Sequence, residues 1–372
     1  MSDQAVHNRA ARVLARVSPQ LPADAALREE LAGLRQLSPA EKRELARAVF
    51  AYFRWRQWVD ERASLPVQVR EALDVQARFK RDPNSVKVEA IQARAVPEWV
   101  RDELTFSPEE WRALQVEPPL WIRAQRAHAA SIARVLGDCT PAPAPADQTG
   151  FRYRGQKDLF KTEEFHQGLF EIQDLGSQLV GHACAPQSTE TWWDACAGEG
   201  GKTLHLSDLM NNKGLIWASD RSAKKLAHLR KRAARAEVFN FRPVNWNGGP
   251  FLPTKTKFDG ILVDAPCSGV GTWRRNPHAR WTTTAEDVRE LSTLQRQLLE
   301  HVLPSLKPGG RLIYAVCTLT RTETTALADA FTAAHPELEP LPLLGRGPQV
   351  TLPMHEFNAN GMFLAGWTRR TE

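Results

Sequence analysis

The chain has 372 residues, 42% hydrophobic and 25% charged, which is enough for two or three domains with ordinary globular cores. No apolar run approaches the length of a membrane span and the N-terminus carries no charged-then-apolar leader, so neither a membrane partner nor export is expected. The formal charge of +6 is compatible with a polyanionic partner, and five cysteines, an odd and sparse count, argue for reduced thiols in a cytoplasm over a disulfide framework.

Residues to about 80 read as helical. Ser38-Pro39-Ala40-Glu41 is a capping box with proline at the first helical position, and Leu45, Val49, Tyr52, Phe53 and Val59 follow on one stripe with Arg54 and Arg56 on the wetter side. Most of the twelve tryptophans, among them Trp55, Trp58, Trp99 and Trp111, are expected in the core. Residues 83–186 look mixed. Ser107-Pro108-Glu109-Glu110 caps a second helix, Pro118 to Arg123 enters a strand, His128 to Leu136 is helical, and Thr140 to Pro145 is a loop.

From about 187 the pattern alternates: strand Thr191 to Cys196, helix Thr203 to Met210, strand Leu215 to Asp220, a basic helix capped by Ser222, strand Phe258 to Asp264, a long helix after Thr284, a sharp turn at Lys307-Pro308-Gly309-Gly310, and strand Arg311 to Val316. Such alternation predicts an α/β domain, a mostly parallel Rossmann-like sheet with helices on both faces, over residues 187–372. A helical domain over 1–82 and a small α+β domain over 83–186 precede it.

Ligands of doubly wound sheets bind at the carboxyl ends of the strands. There the first turn reads Cys196-Ala197-Gly198-Glu199-Gly200-Gly201-Lys202-Thr203, and Asp220 ends the next strand, spaced to bond a ribose diol. The turn misses a dinucleotide fingerprint at Thr203 and a P-loop at Cys196, each by one residue, whereas a methyltransferase-type loop accommodates it. Two further strand ends carry cysteines, Asp264-Ala265-Pro266-Cys267 and Val316-Cys317-Thr318. A thiolate is a strong soft nucleophile. Added to carbon 6 of a pyrimidine, it makes carbon 5 nucleophilic enough to take a methyl group, so a cofactor loop plus one cysteine, one acid and one proton acceptor suits 5-methylation of cytosine from S-adenosylmethionine. Cys139 and Cys184 are expected as small buried hydrophobes, and zinc is disfavoured because no paired Cys/His spacing occurs.

Taken in order, these motifs resemble the RsmB/Nop/Sun family of RNA cytosine-5 methyltransferases. Gln173 to Gln178, Asp194 to Thr203, Asp264 to Trp281, Tyr314 to Thr318 and Asn360-Gly361-Met362-Phe363 are similar to its successive motifs. Gly198-Glu199 stands where the family has Ala-Pro, and Asn245 where it usually has Asp. The resemblance implies Cys317 as nucleophile, Cys267 assisting product release, Asp264 contacting the base and the cofactor's reactive end, and Lys202 orienting the base or Asp264. It implies Cys196, Ala197, Gly198, Glu199, Gly200, Gly201, Lys202, Asp220, Asn245 and Asp264 around S-adenosylmethionine, a NusB-like domain at 1–82, and an RNA-gripping domain at 83–186.

A target base must be extruded from its stack to meet a thiol. Arg274, Arg275 and Arg280, directly after the Cys267 loop, are expected to contact RNA, whereas the basic helix with Lys224, Lys225, Arg230, Lys231 and Arg232 reads as a solvated face. The expectation is a cytoplasmic monomer, free of metal, methylating ribosomal RNA. The rivals are a tRNA enzyme, a catalytically silent RNA-binding assembly factor, and an exocyclic-amine methyltransferase. The last would use an Asn/Asp-Pro-Pro-aromatic turn and need no cysteine.

Overall fold

The structure, a computed structural model, describes residues 2–34 and 36–371 and divides into two compact units. One comprises Met1–Pro118 with Thr272–Ala285, the other Pro119–Gly271 with Glu286–Glu372.

The first unit is helical: α1 (Asp3–Arg16), α2 (Ala23–Gly33), α3 (Pro39–Trp55), α4 (Leu65–Arg81), then the shorter α5 (Val88–Arg94), α6 (Val100–Glu103) and α7 (Pro108–Leu114). Both expected capping boxes form, Ser38 with Glu41 and Ser107 with Glu110. Leu45, Val49 and Phe53 of α3 bury against Val6, Ala10 and Val13 of α1. The boundary expected at residue 82 is not where compactness falls: residues 83–118 belong with the helices before them.

Arg54 is not on the wet side. It is 2% exposed, and its guanidinium donates to Gln76 Oε1 and to the Arg274 carbonyl, each at 2.8 Å. Burial lowers it to about 10. The segment 272–285 completes this core with Trp273, Arg274 and Arg280, all essentially inaccessible. Arg280 donates to Gln115 Oε1 (2.6 Å) and to the carbonyls of Leu114, Ala95 and Trp273. Arg274 donates to the carbonyls of Val116 and Glu117. Their expected role as RNA contacts is therefore corrected: these forks satisfy chain ends that would otherwise be buried without donors. Of the three arginines, Arg275 is the one whose side chain is exposed. Arg280→Met should cost about 3 kcal/mol in urea unfolding, because it orphans several buried acceptors. The variant should leave the salt dependence of RNA binding unchanged, as measured by titration at several salt concentrations.

The second unit opens with a four-stranded antiparallel sheet, β1 (Leu120–Ala124), β2 (Cys139–Pro141), β3 (Gly150–Tyr153) and β4 (Phe170–Ile172), in the order β2-β3-β1-β4. β2 takes the start of the stretch expected as loop. Helix α8 (Ala129–Leu136) packs on this sheet and the short α9 (Glu163–His166) precedes β4. Arg123 of β1 is buried and donates to Gln173 Oε1 (2.8 Å) and Asp208 Oδ2 (3.2 Å).

After α10 (Leu175–Cys184) comes an eight-stranded sheet: β5 (Thr191–Asp194), β6 (Leu215–Asp220), β7 (Phe241–Asn245), β8 (Phe258–Asp264), β9 (Leu306–Val316), β10 (Leu338–Pro340), β11 (Gln349–Leu352) and β12 (Met362–Arg369). Its order is β10-β12-β9-β8-β5-β6-β7, with β11 also paired to β12. The strands β7, β6, β5, β8 and β9 run parallel, and β12 returns antiparallel. The intervening helices are α11 (Gly201–Leu209), α12 (Ala223–Arg235), α13 (Ala285–Val302) and α14 (Thr325–Ala334). Sandwiched strands must be apolar throughout, and Ile261-Leu262-Val263 and Leu312 to Val316 are fully buried. Gly260 of β8 leaves room for the Trp192 indole of β5: a Cβ there would lie 2.3 Å from the ring.

The turn expected at Lys307 to Gly310 is instead part of β9. Phe258 pairs with Leu306 and Gly260 with Arg311, so the Pro-Gly-Gly residues are accommodated as a bulge, with Gly309 at φ 73°. The chain builds outward from β5 first through β6 and β7, then on the other side through β8 and β9. The topological switch point therefore lies between the carboxyl ends of β5 and β8.

Candidate active site

Three strand ends meet at that switch point. The first carries the glycine turn. Gly198 and Gly200 take φ of 56° and 86°, a region that side chains avoid, and a Cβ on Gly200 would lie 2.6 Å from Leu229. Gly201 instead begins α11. Asp194 at the end of β5 is fully buried and accepts from Thr203 Oγ1 at 2.7 Å, tying the strand to the helix's first turn. Burial pushes its carboxyl up to about 7.

Asp220 ends β6. One carboxylate oxygen accepts from Gly198 N (3.0 Å) and the other from Ser222 N (2.7 Å), so the acid is fixed against the glycine turn with lone pairs left over. A cavity of about 360 Å³ opens here, walled by Cys196 to Glu199, Asp220, Arg221, Lys225, Trp246, Asn247, Asp264 to Pro266, Leu294 and Leu298. Acid, glycine backbone and apolar wall together suit a nucleoside. Five of the residues expected on the cofactor and Asp264 line it. Gly200, Gly201 and Lys202 shape the turn from behind. Asn245 lies beside the cavity, where its Nδ2 donates to the carbonyls of Asp220 and Arg221 (3.1 and 3.2 Å), while Trp246 and Asn247 line the wall itself. Glu199 is held away by His228 Nδ1 at 3.0 Å.

The second and third strand ends carry the cysteines. Cys267 follows β8 and Cys317 follows β9, and their sulfurs are 3.3 Å apart. Both are half-buried. Glycines permit this close approach: Gly271 N donates to the Cys317 carbonyl (3.0 Å) and Gly361 N to the Gly271 carbonyl (2.8 Å), while a Cβ on Gly271 would lie 2.0 Å from Gly361 O. Beside the pair, Lys202 Nζ lies 2.7 Å from Asp264 Oδ2. Burial pulls the lysine down, but Asp264 outweighs it and the net shift is upward, so the ammonium persists.

Two sulfurs this close share one proton. The bond from the Cys267 thiol lowers Cys317, with Lys202 helping against burial and Asp264. Cys267 is raised by the same bond and by burial. Cys317 is therefore the sulfur of the pair that more readily becomes a thiolate, and Cys267 the one that holds its proton more tightly. Cys184 is fully buried and shifted upward by burial, as its expected packing role requires.

This thiolate sets the pH dependence. Protonation of Cys317 removes it, so its alkylation by iodoacetamide should fall as pH drops through a midpoint below the usual thiol value of 9.0. Cys267→Ala deletes the S–H donor and should move that midpoint to higher pH, read by mass spectrometry of labelled Cys317.

Residues 182–367 match the family model described as 16S rRNA methyltransferase RsmB/F. The chain belongs to the RsmB/F family. It is 36% identical over 227 residues, 56% of the chain, to the probable ribosomal RNA small subunit methyltransferase B of Bacillus subtilis, of which that match covers 50%. The chain thus spans about half the length of that relative. Among solved structures, PH0851 superposes with a TM-score of 0.80 over 99% of both chains at 22% identity, which shows the shared fold. NSun6 from Pyrococcus horikoshii with SFG gives 0.62 over 71% of this chain and 94% of that one, at 19% identity. The RsmB/F match takes in the glycine turn, both cysteines, Lys202 and Asp264.

Several residues near the site had no motif to mark them: Trp246, Leu294 and Leu298 on the cavity wall, and the buried Gln295, Thr320 and Glu323, which group with Ser268 and Thr318 behind the cysteines. One signal was available. Gln295 interrupts the apolar stripe of α13, and a glutamine fully buried on such a face must have polar partners.

Proposed function

We propose that the chain is an S-adenosylmethionine-dependent RNA methyltransferase that makes 5-methylcytosine, with ribosomal RNA as substrate. The observation that carries this reading is the 3.3 Å pair of sulfurs together with the Lys202–Asp264 ion pair, whose Asp264 lines a nucleoside-sized cavity. A plain binding protein has no use for a thiolate held against a thiol next to a cofactor turn.

The Gly198 to Gly200 backbone and Asp220 would hold the cofactor's ribose and amino-acid parts, and Trp246, Leu294 and Leu298 its adenine. S-adenosylmethionine supplies an electrophilic methyl group when bound. Cys317 Sγ adds to carbon 6 of the extruded cytosine, pushing charge toward the ring nitrogen that Asp264 and Lys202 face. Carbon 5 then takes the methyl. Cys267 loses its proton to solvent once Cys317 is taken up by the ring, then accepts the carbon-5 proton. The electron pair of that C–H bond re-forms the ring double bond as the Cys317 sulfur leaves with its own pair. One proton is released per methyl transferred. Arg275, the exposed arginine of this region, would contact phosphate.

The names of the curated relatives favour ribosomal over transfer RNA. The free thiols and the RNA substrate suit a cytoplasmic enzyme. Among the described residues, no helix is long and apolar enough to cross a membrane. The test is transfer of labelled methyl to purified ribosomal and transfer RNA followed by nucleoside analysis. Labelled 5-methylcytosine in ribosomal RNA is expected; label on an exocyclic amine, or on transfer RNA alone, would replace this reading.

A further inference from the structure

Behind the two sulfurs lies a fully buried carboxylate, that of Glu323, between β9 and α14. Five donors converge on it. Oε1 accepts from Ser268 N and Gln295 Nε2, both at 2.9 Å; Oε2 accepts from Thr320 Oγ1 (2.8 Å), Thr318 Oγ1 (3.2 Å) and Ser268 Oγ. Ser268 follows Cys267 and Thr318 follows Cys317, and their hydroxyls are 2.8 Å apart. Gln295 Nε2 also donates to Pro266 O (2.9 Å), on the other side of Cys267, and its Oε1 is turned away by the Tyr314 hydroxyl. Both peptide flanks of Cys267 and the residue after Cys317 are therefore anchored to one acid.

We propose that Glu323 is a positioning residue for the cysteine pair: it locks the β8 and β9 loops together through Ser268 and Thr318, and so fixes which sulfur is presented to the substrate as nucleophile. An acid suits this task better than an amide. Every neighbour offers a hydrogen, and a carboxylate accepts all of them, whereas glutamine would turn an NH₂ toward donors. The charge also lies on the Cys267 side. That thiol, raised by its bond to Cys317 and by burial, is raised further by Glu323.

This inference rests on the covalent reading of the site, but its first test needs no RNA. Wild type under limiting iodoacetamide should label Cys317 before Cys267. In Glu323→Gln the ratio of labelling should shift toward Cys267 by about tenfold, one unit of relative thiol acidity. Turnover on RNA should fall about 10- to 100-fold, with KM for S-adenosylmethionine little changed. A variant with the wild-type labelling ratio and turnover within about twofold of an active wild type would overturn the proposal, whereas an inactive wild type would instead sink the covalent reading. If Glu323→Gln fails to fold, the same readouts on Thr318→Val against Thr318→Ser decide. The serine variant should behave as wild type and the valine variant as described for Glu323→Gln; valine equal to serine overturns the proposal.

Discussion

Cys317→Ala is expected to abolish methyl transfer, a loss of about 10⁴-fold or more, while S-adenosylmethionine binds as it does to wild type. The two effects separate because the sulfur and the cofactor wall are distinct parts of the site. Cys317 is absent from the lining of the 360 Å³ cavity, whose polar residues include Glu199, Asp220, Arg221, Lys225, Asn247 and Asp264. The replacement removes one half-buried sulfur and leaves the Gly271 N bond to the residue 317 carbonyl in place, so the loop keeps its anchor. Without a thiolate, carbon 5 of cytosine is too weak a nucleophile to take a methyl from a sulfonium. Calorimetric binding of the cofactor alongside single-turnover methylation gives both readouts. Turnover near the native rate would remove Cys317 from the chemistry and with it the distinction drawn between the two sulfurs.

The parts of this site that were legible in the sequence are those where one residue type has one job. Gly198 and Gly200 announce a turn because no other residue takes their φ, and Asp220 announces an acid at a strand end. The parallel sheet was legible from its apolar runs, and β8 begins and ends where its sequence predicts. Arginine is different, because its fork serves phosphate in solution and carbonyl oxygens in a core equally well. Arg54, Arg274 and Arg280 look alike in sequence to Arg275, yet three are buried and one is exposed. Arg274 and Arg280 are buried by the return of residues 272–285 to the first unit, a long-range event with no local signature, and Arg275 in the same segment turns outward. Proline and glycine misled at Lys307 to Gly310 for a related reason: they punctuate a chain, but they also bulge within a strand whose two ends are already paired. Glu323 lay beyond a motif-based reading because its meaning is set by five donors drawn from three segments.

Cys267→Ala should give the opposite phenotype to Cys317→Ala: a covalent protein–RNA complex that survives a denaturing gel. Addition of Cys317 to carbon 6 and methyl transfer to carbon 5 need no proton from residue 267. Only the last half-reaction needs residue 267, as the acceptor of the carbon-5 proton, since the sulfur cannot leave until that proton has been taken. The 3.3 Å separation places Cys267 next to the bond that must break, and its upward shift makes it a good proton acceptor once it has become a thiolate. The same substitution removes the S–H that stabilises the Cys317 thiolate, so the complex should accumulate more slowly at neutral pH and faster as pH rises. That dependence distinguishes a trapped intermediate from nonspecific cross-linking, which would not follow the titration of Cys317. The double variant, lacking both sulfurs, should show no shifted band. A band in Cys317→Ala but not in Cys267→Ala would reverse the two roles, and would require Cys267, whose neighbour Ser268 is bonded to Glu323, to be the one that attacks.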